Sequence, residues 1–185
     1  FSPDGRWLAF LAKRDDKKKQ VWLLDRRGGE AVKLTSYKAD VSDLAWSPDS
    51  KRLALVVADF DPEDPELAEE KDEKTARPRP IVLRRRQFKR DGEGYLRELR
   101  EHLHVFDLAT KQSVQVTSGA YDDSQPTWSP DGSLIAFVSN RTPDPDSNQN
   151  SDVFVVAPQA GQAPRALTRW AGADVLIVGC DYGHE

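Results

Sequence analysis

The chain has 185 residues, of which 38% are apolar and 31% charged, and its net charge is −4, from 27 basic and 31 acidic residues. That balance fits a soluble globular fold with much solvated surface. It excludes a nucleic-acid binder with a basic stripe and high pI, and no apolar run approaches the roughly 20 residues needed to cross a bilayer. No membrane partner is therefore expected. Cys180 is the single cysteine, so no intrachain disulfide can form; a cytoplasmic location is the first expectation, with the periplasm as the alternative. The chain opens at Phe1 and holds no methionine, so its N-terminus reads as a processed or trimmed end.

In chain order, the first recognisable element is Phe1-Ser-Pro-Asp-Gly-Arg-Trp-Leu-Ala-Phe10, and it returns twice. The copies are Trp46-Ser-Pro-Asp-Ser-Lys-Arg-Leu-Ala-Leu55 and Trp128-Ser-Pro-Asp-Gly-Ser-Leu-Ile-Ala-Phe137. Pro presets φ, Asp bonds nearby amides and Gly accepts positive φ, so Ser-Pro-Asp-Gly reads as a turn between strands. The leading aromatic recurs after 45 and then 82 residues. A degenerate copy at Phe88-Lys-Arg-Asp-Gly-Glu-Gly-Tyr-Leu96 divides the longer interval and makes the spacing 45, 42 and 40. The structural repeat is thus read as Phe1, Asp4, Trp46, Asp49, Phe88, Asp91, Trp128 and Asp131. A period of about 40–45 residues built from short strands signals β-propeller blades. The expected fold is all-β, a partial propeller of about four blade-equivalents with antiparallel blades.

Further strands are predicted at Gln20–Asp25, His102–Asp107 and Asp152–Val156. Each precedes a polar turn and a segment ending in Leu34-Thr35, Val116-Thr117 or Leu167-Thr168. Thr35 and Thr117 each stand 11 residues before a turn aromatic, whereas the same step from Thr168 reaches Gly179. The chain is expected to begin at the turn inside one blade and to stop where the next turn should come. The blades occupy residues 1–168. Residues 59–79 form a charged, Pro-rich excursion, with a helical stretch expected near Pro65–Lys74, and 142–151 a polar loop. Residues 169–185 depart from the repeat and offer a closing strand at Asp174–Val178.

The Trp-Ser-Pro-Asp-Gly repeats resemble those of TolB-type propellers. The middle section, Pro78-Arg-Pro-Ile-Val-Leu, Gln87–Leu96 and His102–Asp107, is similar to the N-terminal propeller of acylaminoacyl-peptidase-like enzymes of the prolyl oligopeptidase superfamily. Asn140-Arg-Thr-Pro-Asp-Pro-Asp followed by Ser151-Asp-Val-Phe matches the same branch. The resemblance covers residues 1 to about 168. It implies a propeller joined to a C-terminal α/β-hydrolase domain whose Ser-His-Asp site it shields, so that short peptides enter and folded proteins do not. The catalytic residues of such enzymes lie in the hydrolase domain, and the chain has no Gly-x-Ser-x-Gly elbow. No catalytic residue transfers. The implied partners are the hydrolase domain of the parent protein and peptides; the alternative function is a stand-alone TolB-like binding or scaffolding module.

Other candidates are weighed on their chemistry. His102 and His104 share one strand face, but zinc wants three or four ligands and no third is evident. Asp144, Asp146, Asn148, Asn150 and Asp152 alternate oxygen side chains as calcium loops do. An EF-hand, however, would want Gly at Gln149 and Glu at Val155, and an ordinary polar hairpin loop is the simpler expectation. Arg84-Arg85-Arg86 with Lys89 and Arg90 is read as a solvated blade edge. No metal or other cofactor is expected. An arc of blades with raw edges at both ends predicts association, and a homodimer would close the ring.

Overall fold

The computed structural model describes residues 1–14, 17–61, 85–90, 94–95, 99–170 and 172–174. Three antiparallel blades follow one another along the chain. Blade one contains β1 (Trp7–Ala12), β2 (Gln20–Asp25) and β3 (Val32–Lys33). Blade two contains β4 (Val41–Trp46) and β5 (Arg52–Ala58); the short β6 (Lys89–Arg90) and β7 (Gly94–Tyr95) intervene before β8 (Glu101–Asp107) and β9 (Ser113–Gln115) complete it. Blade three contains β10 (Asp123–Trp128), β11 (Ile135–Ser139), β12 (Asp152–Val156) and β13 (Arg165–Ala166). The chain is an all-β partial propeller, as the repeat predicts.

The Phe88 segment does not take the place of a blade. β5 pairs directly with β8 over its full length, Arg52 with Asp107 through Ala58 with Glu101, while β6 and β7 form a separate two-stranded ladder. Phe88 precedes this ladder and is exposed, whereas Trp46 and Trp128 end the first strands of their sheets. Asp91 lies outside the described residues. The 82-residue interval therefore comes from a long connection, residues 59–100, between the second and third strands of blade two. The corresponding connections in blades one and three are residues 13–19 and 140–151.

The three Ser-Pro-Asp turns close with the same bonds. The hydroxyls of Ser2, Ser47 and Ser129 donate to Asp4, Asp49 and Asp131 at 2.5, 2.6 and 2.6 Å. Each hydroxyl oxygen accepts the N–H five residues on, from Trp7, Arg52 and Leu134. Each carboxylate accepts the N–H two residues on, from Arg6, Lys51 and Ser133. These donors hold the three carboxyls below their usual range, Asp131 at about 2. The fourth turn residue is left-handed in every copy: Gly5 at φ 71°, Ser50 at 57° and Gly132 at 69°.

A second repeated bond ties the end of the last strand of each blade to the strand before it. The hydroxyls of Thr35, Thr117 and Thr168 accept the N–H of Val21, Leu103 and Val153 at 3.0, 2.8 and 2.9 Å. This is why the Leu-Thr and Val-Thr pairs recur. The core lies between blades, and blade two is covered on both faces. Leu53, Leu55 and Val57 of β5 pack towards blade one with Val21, Val41 and Phe106. The alternate residues Ala54 and Val56 join Leu103, Val105, Ile135, Phe137, Phe154 and Val156 at the blade two–three junction. Pro126 is tolerated inside β10 because the pairing with β11 slips there, between Ser124 and Thr127.

Gly132→Ala is expected to destabilise the chain by about 1–2 kcal/mol, the cost of a side chain at a left-handed residue. A Cβ there would meet Arg52 Nη2 at 3.6 Å and Pro48 Cδ at 3.8 Å, which are ordinary contacts. The loss read from urea unfolding therefore measures the backbone conformation and not a clash.

Candidate functional site: a buried ion network at one end of the blades

Antiparallel strands send all second-to-third-strand connections, and all links between blades, to the same end of the sheets. The Ser-Pro-Asp turns lie at the other end. At the connection end, a set of charged side chains joins the long 59–100 connection to blade three. Arg85 lies against Asp146 at 3.0 Å and Asp122 at 3.2 Å, with its side chain only 6% exposed. Its Nη1 also donates to the carbonyl of Leu99 at 3.1 Å. Arg100, 10% exposed, reaches Asp122 at 2.9 Å and Asp146 at 3.2 Å. Burial pushes the Asp146 carboxyl up, but bonds to Arg85 and Arg100 outweigh it and hold the group below its ordinary value.

The network continues inward. Asp123, fully buried, accepts Arg141 Nη2 at 2.9 Å and the Thr117 hydroxyl at 2.5 Å. The Arg141 guanidinium lies over the rings of Tyr121, Phe137 and Phe154 at 5.0, 5.4 and 5.3 Å, a placement its planar cation favours. His102 is buried between Asp59, 3.6 Å from Nε2, and Asp123, 3.9 Å from Nδ1. Its place at the start of β8 matches Gln20 and Asp152 in the other blades. Those two accept the threonine hydroxyl themselves, Gln20 from Thr35 and Asp152 from Thr168. In blade two Asp123 of the next blade serves instead.

The sequence candidates are dispersed within this frame. Asp144 meets the exposed Arg86 at 3.5 Å, and Asp146 belongs to the arginine network. Asn148 accepts from Asn140 Nδ2 and from the N–H of Asn150. Asn150 accepts the N–H of Gly172, and Asp152 accepts from Thr168 and the N–H of Trp170. The alternating oxygens thus pin residues 140–151 to their neighbours. Among the described residues no group of three or more His, Cys, Asp and Glu side chains could hold a metal ion. The basic run divides: Arg85 departs from the expected solvated edge and is one of the most buried charges at this end, while Arg86 is 71% exposed and Lys89 is exposed as well. Arg84 lies outside the described residues. Sequence reasoning missed Arg100, Asp122 and Asp123, single charges with no motif around them.

His104 sits away from the network. Burial, then the neighbouring His102, pushes its imidazole down to about 4. Its ring meets Tyr37 edge-on, and its Nδ1 is 3.4 Å from the Ser113 hydroxyl, which also accepts from the Tyr37 hydroxyl. No carboxylate hydrogen-bonds to His104 among the described residues, so this serine–histidine pair lacks the third group of a triad.

No family model matches the chain. It is 31% identical over 156 residues to the uncharacterized peptidase YuxL of Bacillus subtilis (strain 168), a match covering 84% of this chain and 23% of that protein. Among solved structures it superposes on the acylaminoacyl peptidase of Pyrococcus horikoshii with a TM-score of 0.62 at 18% identity, over 91% of this chain and 24% of that one. TolB from Acinetobacter baumannii gives 0.54 at 16% identity, over 91% and 31%. The fold is that of the acylaminoacyl-peptidase and TolB propellers. This propeller segment spans about a quarter of the length of its peptidase relative. No helix among its described residues is long and apolar enough to cross a membrane.

Two predictions come from this end of the blades. Arg85→Ala should cost about 1.5–3 kcal/mol, because Asp146 and Asp122 lose one of two guanidinium partners and keep Arg100. Its neighbour Arg86→Ala should stay within about 0.5 kcal/mol, as exposed charges do; urea midpoints of the two variants decide. For His104, the folded value of about 4 lies below the unfolded value near 6.5. Between them the unfolded chain holds a proton that the folded chain lacks. Stability therefore rises with pH across this window, by at most about 1.4 kcal/mol per unit, is complete above about 6.5 and is lost by about 4. His104→Phe, the residue found at the matching Phe154, should flatten that part of the stability–pH curve relative to the parent.

Proposed function

We propose that the chain is a non-catalytic propeller segment of a peptidase-like serine hydrolase, limiting the access of peptides to a hydrolase domain that lies outside it. The observation that carries this reading is the similarity to a peptidase along 84% of the chain, joined to a fold shared with an acylaminoacyl peptidase. The local chemistry supports it. The buried arginine–aspartate network fixes long connections at one end of the blades and supplies no nucleophile. The lone Cys180 fits a reducing, cytoplasmic setting. A TolB-like scaffolding module is the second reading, favoured by the superposition on TolB.

A homodimer closing the ring is part of the proposal for the isolated chain. β1 is the edge of a three-stranded sheet, whereas β4 and β10 flank the matching strands of the other two blades. Of the proposed closing strand, Asp174 alone lies within the described residues; its N–H donates to the Ser151 carbonyl at 2.8 Å.

The purified chain is expected to hydrolyse neither peptide nor ester substrates above buffer. Ser113→Ala, which removes the serine touching an imidazole, should leave that background unchanged; activity lost in this variant would make the chain a hydrolase in its own right. Light scattering on the same sample should read twice the chain mass, and a concentration-independent monomer would exclude the dimer. An elbow motif downstream in the parent reading frame separates the peptidase reading from the scaffold.

A further inference from the structure

The turn end of the blades, opposite the ion network, carries a groove of about 620 Å³ between blades one and two. Its lining includes the apolar residues Trp7, Leu23, Leu34 and Leu108 together with Lys33, Lys51 and Lys111. A volume of this size with apolar lining and few polar groups suits a small ligand.

Comparison of the blades singles this groove out. Two turns at this end place a residue in the left-handed region in every blade. Blades one and three use glycine at both: Gly5 and Gly28 in the first, Gly132 and Gly161 in the third. Blade two uses Ser50 at φ 57° and Lys111 at φ 59°, and both line the groove. The Ser50 hydroxyl has a structural task, accepting the N–H of Asp4 from the neighbouring turn at 3.0 Å. Lys111 has none of this kind: its backbone closes the turn onto the Asp107 carbonyl, which glycine would do without strain. A side chain kept where the backbone favours glycine points to a use for its ammonium group.

Three lysines and one aspartate are the charged residues that line the groove. Asp107 lines the groove, but its carboxylate is turned into its own turn, accepting the N–H groups of Ala109 and Thr110 and the Thr110 hydroxyl. Asp49 is likewise held by Ser47 and the N–H of Lys51. Lys51 and Lys111 thus stand beside apolar side chains on a chain whose net charge is −4.

We propose that this groove binds an amphipathic anion, an apolar chain ending in a carboxylate, with the tail on Trp7, Leu34 and Leu108 and the carboxylate between Lys51 and Lys111. The assignment is independent of the peptidase reading, since the groove lies at the other end of the strands from the ion network.

The test is a titration of the full chain with decanoate, below its micelle-forming concentration, followed by amide NMR. Saturable shifts confined to Leu34, Lys51 and the 107–111 turn are expected, with decanol and acetate both much weaker. Lys111→Gly should raise the melting temperature, by relieving the strained turn, yet weaken decanoate by about tenfold or more, the weight of one bond to a charged group. Lys89→Gln, which removes a lysine at the far end, should leave binding unchanged. Absence of saturable shifts, equal binding of decanol, or unweakened binding by Lys111→Gly would overturn the proposal. So would shifts produced by an acidic, leucine-rich peptide where decanoate produces none, which would make the groove a peptide site.

Discussion

A blade of three or four short strands has apolar residues on both faces and cannot bury either one alone. β5 shows this directly: Leu53, Ala54, Leu55, Val56 and Val57 are all buried, odd positions against blade one and even positions against blade three. Each fully buried side chain of this kind contributes about 1.5–3 kcal/mol, but only when a neighbouring blade covers it. Stacking is therefore the condition on which the turns, connections and charges all depend. It also explains why alternation of polar and apolar residues is absent from strands such as β1 and β5, which read as nearly continuous apolar runs.

The strands and turns were legible because their chemistry is local. Ser-Pro-Asp is closed by bonds within six residues, so each copy announces itself wherever it stands. The threonine anchors were legible as a repeat, although their role was not; the bond from Thr117 to the N–H of Leu103 spans 14 residues and belongs to the sheet. The Phe88 alignment failed for a related reason. Its stretch keeps an aromatic, Asp91 and Gly92 at the repeat spacing but lacks the Ser-Pro pair. It thus lacks the serine whose hydroxyl accepts an N–H in each of the three Ser-Pro-Asp turns. An interval close to twice the period invited a missing blade, yet a connection between two strands can take any length without disturbing the register of β5 on β8.

The ion network was illegible for the opposite reason. Arg85, Arg100, Asp122 and Asp146 are far apart in the chain and have no motif, and a run of arginines read alone belongs in solvent. What buries Arg85 is its partners: a guanidinium can leave water when two carboxylates and a carbonyl receive it. A single sequence does not show who those partners are. The same limit applied to Asp144–Asp152, where a polar hairpin loop was the expectation but the separate partners of its oxygens could not be named.

Blade two carries most of the departures from the repeat. It holds the long connection, places His102 where its neighbours place an acceptor for the threonine hydroxyl, and puts Ser50 and Lys111 where they place glycine. These changes are not scattered through the blade. Its buried strands keep the apolar pattern of the other two except at His104, which stands where they place Trp22 and Phe154; the departures named above fall at strand ends, where backbone conformation and charge can vary without opening the interblade contacts. The two ends then diverge in kind. The connection end compensates its departures internally, with Asp123 taking over from His102 and aspartates answering Arg85 and Arg100. The turn end leaves Lys111 in a left-handed conformation at the lining of the groove. A departure answered within the fold explains itself by stability; one that strains the fold without an internal answer directs attention to what lies outside it.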